Sequence, residues 1–235
     1  WSPDGRSLAF VKDARIYVRS LDSDDASPVT SGRLVFDRLF WFPDSARVGF
    51  VTSQGVFAVS RAGGDPERIQ EGPVQAAALS VDGQTLALWK ISFDGSRRTA
   101  SLWLASPITA APKKYELGLV DQVPLSPNYL EFSPDGRTLV YTGFRPSASM
   151  WLISMEGSAA TGPPRQVFDL SGWSRPPQIS WMPDNRSLVL AREEDLWVGD
   201  VQAGTLTKIT AGVQNFRDPA VSPDGRRIAF TAGQT

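Results

Sequence analysis

Six aspartates recur at matching places in this sequence: Asp4, Asp44, Asp82, Asp135, Asp184 and Asp224. A carboxylate at a fixed place can ligate a metal or act as an acid or base. Two of them about 5 to 9.5 Å apart suffice for glycoside hydrolysis. Few other routes to chemistry are open. The 235 residues include no His and no Cys. Without His the chain lacks the usual general base and the commonest metal ligand. Without Cys it lacks thiolate ligands, a thiolate nucleophile and disulfides. No Ser-His-Asp or Cys-His arrangement can be drawn from it. Ala62-Gly63-Gly64-Asp65 has no following Lys-Ser/Thr and no helix, so it is not a phosphate loop. Glu193-Glu194-Asp195 is an acidic run outside the repeated positions, and a solvated loop accounts for it.

The elements that position the six aspartates explain them better than catalysis does. Each sits in one motif. Trp1-Ser2-Pro3-Asp4-Gly5 leads into Leu8-Ala9-Phe10, and Trp41-Phe42-Pro43-Asp44-Ser45 into Val48-Gly49-Phe50. Leu79-Ser80-Val81-Asp82-Gly83 leads into Leu86-Ala87-Leu88, and Phe132-Ser133-Pro134-Asp135-Gly136 into Leu139-Val140-Tyr141. Trp181-Met182-Pro183-Asp184-Asn185 leads into Leu188-Val189-Leu190, and Val221-Ser222-Pro223-Asp224-Gly225 into Ile228-Ala229-Phe230. The copies start 40, 38, 53, 49 and 40 residues apart. Pro presets the first corner of a turn, Asp bonds the backbone that follows, and Gly or Asn accepts positive φ at the exit. The motif is therefore a tight hairpin between two strands, and Asp braces it. The small middle residue after the turn (Ala9, Gly49, Ala87, Ala229) suits a sheet that a neighbour approaches closely.

A third strand follows with an aligned aromatic: Tyr17, Phe57, Trp103, Trp151 and Trp197. A shorter fourth lies near Val29, Ile69, Tyr115, Val167 and Ile209. Four strands at a period of 40 to 50 residues make one propeller blade. The expected fold is all-β: a single β-propeller domain over 1–235, of four-stranded antiparallel blades, six in number and incomplete at both termini. Twenty-one strands are expected where six full blades need twenty-four, so further sequence is expected on both sides. The repeated Trp residues (Trp1, Trp41, Trp103, Trp151, Trp181, Trp197) are expected between blades. Trp89 and Trp173 fall off the register.

Lys plus Arg is 24 and Asp plus Glu is 25, for a net charge of −1. That balance predicts no nucleic-acid footprint and no anionic-membrane surface. No run approaches the roughly 20 apolar residues of a membrane-spanning helix.

The motifs resemble the WD40-like repeat called PD40, found in TolB and its relatives, whose consensus is close to W-S-P-D-G-x-x-I-A-F. Trp1 to Phe10 and Val221 to Phe230 follow it most closely. Ser45 and Asn185 stand where the consensus has Gly, and Val81 where it has Pro, which should weaken those turns. The resemblance implies a non-catalytic scaffold or sensing propeller of a larger bacterial protein, periplasmic or otherwise extracytoplasmic, and monomeric. It implies no cofactor and no metal. The alternative it implies is an accessory propeller of a prolyl-oligopeptidase-like peptidase whose catalytic domain lies outside this chain.

Length variation points to a binding face. From motif start to aligned aromatic the counts are 16, 16, 24, 19 and 16, so blade three carries about eight extra residues between Trp89 and Leu102. Second-to-third-strand loops and blade-to-blade connectors emerge on one face. That face is expected to gather Phe93, Arg97, Arg98, Arg145, Trp173 and Arg175. Arg and Trp are hot-spot types, and Arg pairs bidentately with carboxylates. The expected partner is a protein or acidic peptide segment, with no nucleic acid and no membrane insertion.

Overall fold

The computed structural model describes residues 1–31, 38–95, 97–116, 129–144, 147–192, 195–210 and 215–233. They form two compact units, Trp1–Tyr115 and Glu116–Thr235. Among the described residues all regular structure is strand.

The first unit holds three antiparallel meanders. The first is β1 (Ser7–Lys12), β2 (Arg15–Ser20) and β3 (Ala26–Pro28). The second is β4 (Leu39–Trp41), β5 (Arg47–Thr52), β6 (Gly55–Ser60) and β7 (Glu67–Glu71). The third is β8 (Val74–Leu79), β9 (Leu86–Asp94), β10 (Arg97–Ala105) and β11 (Lys113–Tyr115). The second unit holds β12 (Tyr129–Phe132), β13 (Thr138–Phe144), β14 (Ala148–Glu156) and β15 (Ala159–Gln166). Next come β16 (Gln178–Trp181), β17 (Ser187–Arg192), β18 (Asp195–Asp200) and β19 (Thr205–Lys208), then β20 (Asn215–Val221) paired with β21 (Ile228–Gly233). The expectation of six blades is therefore corrected. Among the described residues five blades form, four of four strands and one of three. Among the described residues the sixth copy of the motif supplies the β20–β21 hairpin.

From the second blade to the fifth, the second strand buries both faces and reads as a near-continuous apolar run. β5 (Arg47–Thr52) and β17 bury four consecutive residues each. Val51, Val56, Leu86 and Leu88 are at most 1% exposed and form one inter-blade cluster with Phe42 and Ile69. Burying such a side chain contributes about 1.5 to 3 kcal/mol, so these clusters are the main source of stability. Second-strand aromatics stack on the aligned third-strand aromatic: Phe10 on Tyr17 at 5.8 Å, Phe50 on Phe57 at 5.6 Å, Tyr141 on Trp151 at 6.4 Å. Most of the aligned Trp residues are half-buried. The two that break the register, Trp89 and Trp173, are the buried ones, with Trp181.

The small middle position has a definite cause at Gly49. The ring of its cross-strand partner Phe40 lies on it, and a Cβ there would come within 2.2 Å of that ring.

The turns behave as the motif implies. Ser2 Oγ donates to Asp4 at 2.5 Å and accepts the Ser7 N–H at 2.9 Å, while Asp4 accepts the Arg6 N–H at 3.0 Å. Ser80–Asp82, Ser133–Asp135 and Ser222–Asp224 repeat the seryl bond at 2.5 to 2.6 Å. Two copies lack the serine. There Asp44 accepts two backbone N–H groups and Arg47 Nε, and Asp184 two backbone N–H groups and Ser187 Oγ.

Ser45 and Asn185 were expected to weaken their turns. Each does take positive φ, 53° and 57°. Yet each side-chain oxygen accepts the N–H of the preceding blade's turn aspartate: Ser45 Oγ from Asp4 at 3.1 Å, Asn185 Oδ1 from Asp135 at 2.8 Å. At Gly83 and Gly225 the preceding copy's proline packs there instead, whereas Gly136, whose preceding copy has Val81 in place of Pro, meets nothing within 4 Å. A Cβ on Gly83 would meet Pro43 at 3.2 Å, and one on Gly225 would meet Pro183 at 3.1 Å. Ser45 and Asn185 are thus blade-to-blade ties.

Candidate functional site

The extra residues of blade three are not an irregular loop. They lengthen β9 and β10 into nine-residue strands, in register from Leu86↔Ala105 to Asp94↔Arg97. Pairing to β8 ends at Val74↔Lys90, and pairing to β11 at Leu102↔Tyr115. From Ile91 to Ala100 the blade is therefore a two-stranded arm. Gly95, at φ 58°, lies between its strands. Ser92 and Thr99 hydroxyls meet across it at 2.7 Å. At its root the Lys90 ammonium lies 5.5 Å from the Trp103 ring centre. Phe93 is 69% exposed on the face it shares with positions 91, 98 and 100. The six expected site residues thus divide. Phe93, Arg97 and Arg98 come together on this hairpin, with 93 opposite 98.

The others belong to the second unit or lie outside the described residues. Arg145 is outside them. Arg175 is exposed in the connector before β16. Trp173 was expected on an open surface and is instead 6% exposed in the core of its unit. A turn closed by Trp173 N–H to Leu170 C=O at 2.9 Å folds the connector inward. The indole then meets Trp197 at 6.3 Å, and the Arg192 guanidinium covers it at 4.6 Å. An indole so placed is a packing group.

The turn aspartates are held for structure. Asp4, Asp82 and Asp224 lie below the usual carboxylate range, because the hydroxyls of Ser2, Ser80 and Ser222 donate to the charged form, followed by backbone N–H groups. Asp195 is tied to Lys208 Nζ at 2.8 Å and Thr210 Oγ1 at 3.0 Å, and Lys208 lowers its pKa. Glu193 and Glu194 lie outside the described residues. Among the described residues no group of three or more His, Cys, Asp and Glu is placed to hold a metal. Among the described residues no helix is long and apolar enough to cross a membrane.

One constellation escaped the sequence reading. Tyr129, Gln178 and Asp218 each stand three residues before a motif start, on β12, β16 and β20. Asp218 accepts from Tyr129 Oη at 3.3 Å, from Gln178 Nε2 and from Thr231 Oγ1 at 3.1 Å. Its own N–H donates to Gln178 Oε1 at 2.8 Å. Asp218 sits at φ 49° in a bulge between Arg217 and Ala220, which turns its side chain toward the two neighbouring strands. Aligning the repeats upstream of the motif would have found it, but the residue types there differ in every copy.

No family model matches the chain, and no curated protein matches it in sequence. Solved structures do. TolB from Acinetobacter baumannii is 16% identical over 94% of this chain, with a TM-score of 0.71. The chain spans 56% of that protein's length. A chain of a nidogen/laminin complex matches at 16% identity, TM-score 0.73, over 96% of this chain and 85% of the other. A gluconolactonase from Xanthomonas campestris matches at 14% identity, TM-score 0.76, over 99% and 81%. At such identities the likeness concerns the fold alone. The chain has the fold of a β-propeller built from four-stranded antiparallel blades, as in TolB.

Proposed function

We propose that this chain is a non-catalytic binding propeller, a protein-interaction or sensing module of a larger bacterial protein, and that it holds an acidic protein or peptide segment at the β9–β10 arm. The observation that carries this reading is the arm. It projects past the strands that flank it and exposes Phe93, and its sequence carries the basic residues Lys90, Arg97 and Arg98 and one acidic residue, Asp94. The likeness to TolB and to the nidogen/laminin structure supports a binding role, and the PD40-like motifs support an extracytoplasmic place. In this reading the chain acts as a monomer, with no cofactor, nucleic acid or membrane insertion.

The test is titration of a short fluorescein-labelled peptide of alternating Glu and Val, followed by anisotropy. The wild-type chain is expected to bind it, and to bind the Gln/Val counterpart more weakly. Arg97→Glu with Arg98→Glu should weaken binding about tenfold or more, and Phe93→Ala by a smaller factor. Unchanged affinity in the double charge reversal, with the thermal midpoint preserved, overturns the reading.

A further inference from the structure

We infer that the bound segment adds to the arm as a β-strand along the free edge of β10, which rests on the reading of the arm as the binding site. The direction of the backbone groups follows from one bond. Ile91 N–H donates to Pro73 C=O at 3.3 Å, away from β10. The pair Ile91↔Ala100 is therefore not hydrogen-bonded across the arm. By the two-residue alternation of an antiparallel ladder, neither is Phe93↔Arg98. Arg98 and Ala100 then present their N–H and C=O outward, in line with the edge that β11 occupies farther along β10 at Leu102–Leu104.

Among the described residues that edge lacks the proline that stands in or beside four of the five outer strands, β19 being the exception. β3 ends on Pro28, β7 follows Pro66, β11 follows Pro112, and β15 contains Pro163 and Pro164. Proline removes an edge donor, which is how sheet proteins deter strand addition. Residues 97 to 101 contain no proline and no bulge. Among the described residues this edge has two outward donors, and position 98 shares the face of the exposed Phe93 while position 97 falls on the other, which fits an extended segment whose alternate carboxylates lie on the position-98 face. Main-chain bonds then give affinity and the alternating side chains give selectivity.

Ala100→Pro tests this directly. It removes an outward N–H that makes no bond to β9, and it leaves the arm's charge intact. It should weaken the Glu/Val peptide about tenfold or more, whereas Ala100→Ser, which keeps the N–H, should bind as wild type does. Two further measurements guard against a local folding defect in the proline variant. A Glu/Val peptide N-methylated at alternate residues keeps its charges and should lose binding to the wild-type chain. Amide exchange at Arg98 and Ala100 should slow when the unmodified peptide is added. Full binding by Ala100→Pro or by the N-methylated peptide, while Arg97→Glu with Arg98→Glu still abolishes capture, overturns strand addition and leaves the arm as the site. Capture that survives the charge reversal too overturns both.

Discussion

The side-chain oxygen of Asn185 accepts the backbone N–H of Asp135 at 2.8 Å, tying the turn of one blade to the turn before it. Asn185 also sits at φ 57°, a region glycine occupies without cost. The two effects oppose each other in Asn185→Gly. The lost bond is worth about 1 kcal/mol and the relieved backbone somewhat less, because Asn tolerates this region. Asn185→Gly should therefore destabilise slightly, despite restoring the consensus residue. Asn185→Ala loses the bond and keeps the strain, and should cost about 2 kcal/mol. Chemical denaturation checks the order. A glycine variant more stable than wild type would show that the tie contributes nothing.

Two glycines separate backbone strain from contact. Gly136 has φ 71° and open space within 4 Å of where a Cβ would lie, whereas Gly225 has φ 69° with Pro183 at 3.1 Å from that position. Gly136→Ala should cost about 1 to 2 kcal/mol from the backbone alone. Gly225→Ala should cost more, since Pro183 must also give way. Equal losses in the two variants would contradict the proline contact.

Local and long-range features were unequally legible in the sequence, for physical reasons. The turns were legible because Pro, Asp and Gly act through local backbone geometry, so Ser80–Asp82 and Ser133–Asp135 could be read without knowing any neighbour. The role of Asn185 was not legible, because its partner lies 50 residues away. Blade three's insertion was legible in length but not in form. Ser92↔Thr99 pairing extends the strands into the stretch read as a second-to-third-strand loop. Trp173 was misplaced because a connector can turn a large apolar ring inward without any periodic signal.

The burial of Trp173 makes a separate prediction. Trp173→Ala should destabilise by about 3 to 5 kcal/mol, as for a large core aromatic. Arg192→Ala, which uncovers the ring, should cost less. A thermal midpoint unchanged in Trp173→Ala would return that residue to the surface.

Acid should destabilise the fold in a defined window. Asp200 is pulled from its ordinary 3.8 down to about 2, first by the Arg186 side chain and then by the Ala203 N–H. Asp4, Asp82 and Asp224 are lowered too, each first by its seryl hydroxyl. A carboxylate whose folded pKa is depressed stabilises above its unfolded value, and that contribution disappears as pH falls through the folded one. The melting temperature should hold above pH about 4 and fall between about 4 and 2. Asp200→Asn should melt lower at neutral pH and show a shallower acid decline. An identical decline in that variant would remove Asp200 from the account.

The central claim is that the β9–β10 arm is where this propeller binds, and backbone NMR shifts on adding the Glu/Val peptide to the whole chain test it most directly. The account predicts shifts concentrated at Ile91–Asp94 and Arg97–Ser101, with the amides near Arg175 and Arg192 unmoved. Shifts centred on Arg175 and Arg192, with the arm silent, would contradict it.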